Sequence, residues 1–192
     1  MPNVSIEGQQ GKGKTLTMVE RGLHRIKEHP DYELYSNIKL YNLDLYAKAI
    51  GYQELNYIYL KKPQQLRKLI KNEKLDHAVL LLDEFHLWFP YGNDKIFQQL
   101  ARETRKDWVD AYFTGHHAGT LNKWLRRVLT YRVLPDYNDV TGWCKYYIYK
   151  FDFIIDGDPI TNPRVLGKFA RKDKFFAPNY FQFFNTREKV KE

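Results

Sequence analysis

The stretch GQQGKGKT, Gly8 to Thr15, constrains this chain more than any other. It fits the spacing G-x-x-x-x-G-K-[ST], with Gly8, Gly13, Lys14 and Thr15 at the fixed positions. Glycines let the backbone curl until its N–H groups converge on one spot. That concavity, backed by the positive end of a following helix, attracts phosphate oxygens. The pattern makes Gly8, Gln9, Gln10, Gly11, Lys12, Gly13, Lys14, Thr15 and Leu16 the expected nucleotide-binding residues. Lys14 is placed to reach the β/γ-phosphates of ATP, and Thr15 to put its hydroxyl on Mg2+.

Such a loop needs a strand before it and a helix after it. NVSIE (Asn3 to Glu7) alternates Val4 and Ile6 and reads as a short strand. KTLTMVERGLHRIKEH (Lys14 to His29) carries Leu16, Val19, Leu23 and Ile26 at near-helical spacing, and Pro30 ends it. The alternative reading is a basic surface turn, and it explains neither flank.

Further elements follow in alternation. YELYSNIKL (Tyr32 to Leu40) reads as a second strand, and Asn42 to Lys62 is mixed and resists placement. KPQQLRKLIKNE opens with Pro63 near a helix N1 position and shows Leu66, Leu69 and Ile70 on one face. HAVLLLDEFH (His77 to His86) is a continuous apolar run ending in acids, the look of a buried parallel strand. DKIFQQLARETRKD (Asp94 to Asp107) is helical, WVDAYFTGHH is a strand ending at Gly115, and TLNKWLRRVL is a short helix. Strands alternating with helices imply crossovers and a mainly parallel sheet, hence an α/β fold. CKYYIYKFDFII and RVLGKFA flank DGDP and read as a hairpin or looped antiparallel addition. The tail APNYFQFFNTREKVKE is expected to form a terminal helix or an arm. The 192 residues are read as one domain, with a core to about residue 140 and a C-terminal hairpin and tail over about 141–192.

Asp83 and Glu84 directly follow the apolar run. A strand rich in Val and Leu would deliver Asp83 to the sheet edge, where it meets Mg2+ through water. Glu84 beside it suits a general base that polarises the attacking water. The pair favours hydrolysis over simple nucleotide binding and disfavours a small-molecule kinase. The bland alternative is a helix-capping acid with a solvated neighbour. His116 or His117, in TGHH at the next strand end, would face the γ-phosphate or be ordinary loop histidines.

Lys and Arg outnumber Asp and Glu by 31 to 23, a net charge of +8, which favours a polyanionic partner. Basic residues gather at Arg102, Arg105 and Lys106 and again at Lys123, Arg126, Arg127 and Arg132. One arginine would neutralise charge on a neighbouring subunit's ATP, and others would hold DNA phosphates. Solvated helix faces account for most of them equally well. KFARKDKFF (Lys168 to Phe176) interleaves basic and aromatic residues, which suits nucleic acid and suits a charged edge strand. Cys144 is the only cysteine, which excludes an intrachain disulfide and a cysteine-rich metal site. No apolar run nears the roughly 18 residues of a membrane span, and no apolar signal segment precedes the loop.

Taken in order, SIEGQQGKGKT, YSNI, LLLDEFHLWF, ARETRKDWVDAYFTGHH and LNKWLRR resemble the FtsK–HerA superfamily of P-loop ATPases. The nearest resemblance is to genome-packaging ATPases of archaeal and other internal-membrane viruses, over about Ser5 to Arg127. The resemblance implies a RecA-like core and an oligomeric ring, often hexameric. It implies ATP-driven movement of double-stranded DNA into a capsid, in the host cytoplasm at the assembling virion, with a capsid, portal or membrane protein as partner. It also implies Lys14 and Thr15 as phosphate and Mg2+ residues, Asp83 as the Mg2+ acid and Glu84 as the catalytic base. Arg105 and Arg126 are its arginine-finger candidates. The family commonly has a Gln where His116 stands or adjoins, so the sensor role departs from the pattern. Zonula-occludens-toxin-like ATPases of filamentous phages share SNI and the acidic strand. They assist phage extrusion and usually carry a membrane helix, so the missing span tilts the expectation towards packaging. A nucleotide-gated scaffold with little turnover is the reading from another class.

Overall fold

The computed structural model describes residues 3–72, 75–88, 94–105, 108–116, 121–151 and 168–185. The strands are β1 (Asn3–Glu7), β2 (Glu33–Ser36), β3 (Tyr57–Tyr59), β4 (Ala78–Leu82), β5 (Val109–Gly115), β6 (Tyr131–Asn138), β7 (Trp143–Lys150) and β8 (Lys168–Phe176). The helices are α1 (Lys14–Glu28), α2 (Leu43–Ala49), α3 (Pro63–Lys71), α4 (Phe85–Trp88), α5 (Asp94–Glu103), α6 (Lys123–Arg126) and α7 (Pro178–Phe181). All eight strands form one sheet in the order β3-β2-β4-β5-β1-β6-β7-β8.

Pairing is parallel from β3 through β6 and antiparallel across β6-β7-β8. The parallel register aligns Ser36 with Leu81, Leu82 with Phe113 and Ile6 with Thr114. Residues just past these pairs therefore share one sheet edge: Gly8, Asn37, Asp83 and Gly115. This is the edge where open α/β sheets bind ligands.

Each face of the sheet has its own core. Leu16, Val19, Leu23 and Ile26 of α1 are buried with Val4, Ile6, Val79 and Leu81 on one face. Burying each such side chain is worth about 1.5–3 kcal/mol. Gly22 lets α1 lie close on β4, since a Cβ there would fall 2.6 Å from Leu81 Cδ2. On the other face Leu66 and Ile70 of α3, Ile96, Phe97 and Leu100 of α5 and Leu125 of α6 cover Leu80, Leu82 and Phe113.

Two buried ion pairs tie elements together. Arg25 of α1 pairs with Asp110 of β5, whose side chain is 0% exposed. Arg132 of β6 pairs with Glu7 of β1 at 2.6 Å. Arg132 thus serves the interior and not a DNA surface.

Elsewhere, YELYSNIKL contributes only Glu33–Ser36 as strand, and the unplaced region holds α2 and β3. A strand over Tyr131–Asn138 was not expected, and it bridges the parallel and antiparallel parts of the sheet. Pro135 lies inside it, beyond Val133, the last residue in register with β1, so its missing N–H breaks no pairing there. β7 and β8 pair antiparallel, whereas DGDP, His117, Lys106 and Asp107 lie outside the described residues. Of the tail, Pro178–Phe181 is a short helix, Phe184 bridges to Leu40, and 186–192 lie outside the described residues.

Candidate nucleotide-binding site

The loop leaves β1 from a pinned end. Glu7 is 1% exposed, paired with Arg132 and accepting a hydrogen bond from Ser5 Oγ at 2.9 Å. At the other end Gly13 caps α1 with φ 85°, a left-handed conformation. A Cβ on Gly13 would lie 3.0 Å from Tyr137 Cβ and 3.2 Å from Cys144 Sγ, so β6 and β7 admit only glycine there. Lys12 Nζ meets Asp136 at 2.9 Å, a second tie between the loop and β6.

Lys14 begins α1 and is 8% exposed. Its ammonium donates to Gln9 O at 3.3 Å and lies 3.6 Å from Glu84 Oε1. Thr15 Oγ1 donates to Asp83 Oδ1 at 2.9 Å. The same carboxylate oxygen accepts from Thr114 Oγ1 at 2.6 Å. Asn37 clasps the Asp83 main chain from both sides: its Nδ2 donates to Asp83 O at 2.7 Å, and its Oδ1 accepts from Asp83 N at 2.6 Å. Glu84 N donates to Thr114 Oγ1 at 2.8 Å. Glu84 has φ 44°, unusual for a non-glycine residue and a form of strain concentrated at functional positions.

Burial pushes the Asp83 carboxyl up from the ordinary carboxylate range, and the hydroxyls of Thr114 and Thr15 pull it back down. Hydroxyl and carboxylate oxygens 2.9 Å apart are hard donors that suit a small divalent cation such as Mg2+, which takes few protein ligands and keeps its waters. The donor set does not suit a softer metal: among the described residues no group of three or more His, Cys, Asp or Glu converges.

The other sequence candidates are dispersed. His86 Nδ1 lies 3.6 Å from Glu84 Oε2, and the His116 ring is 6.3 Å from the His86 ring. His116 is exposed. Arg105 is exposed and follows Thr104, whose carbonyl accepts from Asn3 Nδ2 at 2.9 Å. Asn3 begins β1, so Arg105 sits at the sheet edge opposite the loop, in a cleft with Arg102, Arg127 and Trp124. Arg126 is half-buried on α6. Leu16 packs into the core with 4% exposure, leaving its backbone to the loop. Thr114 and Asn37 lie in quoted stretches of the sequence, yet their contacts depend on strand register and no spacing rule identifies them.

A family model described as Zonular occludens toxin (Zot) matches residues 4–180. Among solved structures, the N-terminal domain of zonular occludens toxin from Neisseria meningitidis aligns with TM-score 0.58 and 17% identity, over 96% of this chain and 100% of that one. The genome packaging NTPase B204 from Sulfolobus turreted icosahedral virus 2, in complex with ATP-gammaS, aligns with TM-score 0.53 and 12% identity, over 78% of this chain and 92% of that one. The RadB recombinase aligns with TM-score 0.52 and 13% identity, over 78% and 81%. At such identities the likeness is one of fold, and the fold is that of RecA-like P-loop NTPases. No curated protein sequence matches the chain. No helix among the described residues is long and apolar enough to cross a membrane.

Proposed function

The chain belongs to the zonular occludens toxin family, and from that premise we propose that it is an ATP-hydrolysing motor domain for phage extrusion or conjugative DNA transfer. The observation that carries hydrolysis is the placement of Glu84 Oε1 3.6 Å from Lys14 Nζ, beside the Thr15–Asp83 pair. Within the P-loop ATPases we place it in the FtsK–HerA superfamily, on the motif order from Ser5 to Arg127.

The loop amides and Lys14 hold the β- and γ-phosphates. Thr15 and Asp83 would hold Mg2+, which would neutralise phosphate charge. Glu84 orients a water for attack on the γ-phosphorus and takes its proton. A bond forms from the water oxygen to phosphorus, the bond to the β-phosphate oxygen breaks, and ADP and phosphate leave. Thr114 fixes the Glu84 main chain, and His86 flanks its carboxylate. His116, whose ring lies 6.3 Å from that of His86, contacts the γ-phosphate or orients the water in this reading. Arg105 or Arg126 reaches a neighbour's γ-phosphate in a homo-oligomeric ring, a hexamer in this reading. Arg105 at the far sheet edge suits such a role across a subunit boundary better than one within its own site.

The second reading is packaging of double-stranded DNA into a capsid at the assembling virion in the host cytoplasm. The likeness to B204 favours it. That likeness leaves part of this chain unmatched, whereas the Neisseria domain matches nearly all of it. That no helix among the described residues is long and apolar enough to cross a membrane does not weigh against extrusion, because the matching toxin structure is itself an N-terminal domain. Glu84→Gln should retain ATP binding while steady-state phosphate release falls at least 100-fold. Turnover at the wild-type rate would remove Glu84 as the base.

A further inference from the structure

β7 and β8 carry two unlike faces. Cys144, Tyr146, Ile148 and Phe175 turn inward to the core beneath α1. The residues between them turn outward and form rows across the two strands. Trp143 lies opposite Phe176 at one end, and Tyr149 lies opposite Phe169 at the other. Between these aromatic rows Lys145 lies opposite Lys174, and Tyr147 opposite Lys172. The rings are open to solvent: Phe169 is 54%, Phe176 39% and Trp143 38% exposed. Lys174 Nζ leans over Trp143 at 4.8 Å from its centroid, and Lys172 Nζ over the half-buried Tyr147 at 5.1 Å.

We propose that this face is a stacking platform for a single-stranded nucleic acid. Trp143 and Tyr147 lie four residues apart on β7, about 14 Å along the strand, so their rings offer separated π-faces and Lys145 between them meets phosphate. A duplex hides its base faces in its own stack and would use the lysines alone. A second copy of this face would bring Lys145, Lys172 and Lys174 against their own kind, a like-charge penalty in any two-fold pairing. A bilayer would have to accept the Lys145–Lys174 row between the two aromatic rows.

The face also touches the nucleotide loop. The row through Lys145 continues to Asp136 on β6, and Asp136 holds Lys12. Lys145 stands opposite Asp136 in register, so a phosphate held at Lys145 would lie beside the acid that pairs with Lys12 and would couple the platform to the loop through that charge. The inference rests on the motor reading for this coupling and stands without it for binding.

The test uses the full chain and fluorescence anisotropy with a labelled oligothymidylate of about 20 nucleotides, a duplex of equal length and anionic vesicles. The wild type should prefer the single strand. Trp143→Ala and Tyr147→Ala should each weaken it about tenfold. Lys172→Glu with Lys174→Glu should weaken it further and flatten its salt dependence. Basal ATP turnover and the unfolding midpoint should stay within error in all of them. No binding of the single strand, equal binding of the duplex, or variants that bind as the wild type would each overturn the proposal. Loss of vesicle binding in these variants, with oligothymidylate binding intact, would assign the face to lipid and overturn it as well. A chain that binds the strand but hydrolyses no ATP would sink the motor reading and leave the platform standing.

Discussion

Lys14 and Glu84 face each other at 3.6 Å, so the proposed base and the proposed phosphate-binding lysine hold one another. A γ-phosphate entering this site competes with Glu84 for the ammonium of Lys14 and meets the carboxylate's like charge. Glu84→Gln relieves both effects. Its ATP affinity should rise about 3- to 10-fold over wild type, an electrostatic change on the order of 1 kcal/mol. Titration calorimetry reads this directly, and weaker binding by the variant would contradict it.

Thr114 joins the two acids, donating to Asp83 Oδ1 and accepting from Glu84 N. Thr114→Val keeps the shape and removes both bonds. Leaving the Glu84 N–H without its acceptor should cost about 1–3 kcal/mol of stability in urea unfolding. Phosphate release should fall at least tenfold, with ATP binding changed less, because the lost contacts position Asp83 and Glu84 and do not touch nucleotide directly. Equal losses in binding and turnover would point to general collapse of the loop.

Arg25 and Asp110 illustrate a buried pair that stability depends on through its completeness. Asp110 is 0% exposed, and burial raises its carboxyl above the ordinary range despite Arg25. Arg25→Met strands that acid and should cost about 3–5 kcal/mol. Adding Asp110→Asn should recover much of the loss. Urea denaturation of the two variants checks the order, and a double variant worse than the single would contradict it.

Glu20, 6% exposed on α1, is pushed up from 4.5 to about 7, chiefly by burial and only partly offset by Arg21. The folded state then holds its proton more tightly than the unfolded chain. Its contribution is full below about pH 4.5 and is lost as pH rises through about 7. Glu20→Gln should therefore be more stable than wild type at pH 8, by on the order of 2–3 kcal/mol, and the two should converge near pH 4. A difference independent of pH across this window would rule the account out.

The loop and β4 were legible because their chemistry demands fixed spacing: Gly8, Gly13, Lys14 and Thr15 in one run, and AVLLL ending at Asp83. α1 was legible through the periodic burial of Leu16, Val19, Leu23 and Ile26. β6 was not, because Arg132, Pro135 and Asp136 interrupt its apolar alternation, and Arg132 is buried only by virtue of Glu7. α2 and β3 were hidden by brevity and by Asn42, whose left-handed turn leaves no simple pattern. Thr114 and Asn37 act through parallel register, which brings residues distant in sequence to one edge. The outward rows of β7 and β8 were half visible in KFARKDKFF, but their partners Trp143, Tyr147 and Tyr149 emerge only from the antiparallel pairing.

The most direct test of the central claim is steady-state phosphate release by the full chain, alone and with linear single-stranded or duplex DNA, with Lys14→Ala as the blank. Turnover should vanish in the blank, rise with DNA, and rise more with the single strand. Release no greater than the blank under all three conditions, from protein shown to be oligomeric, would contradict it.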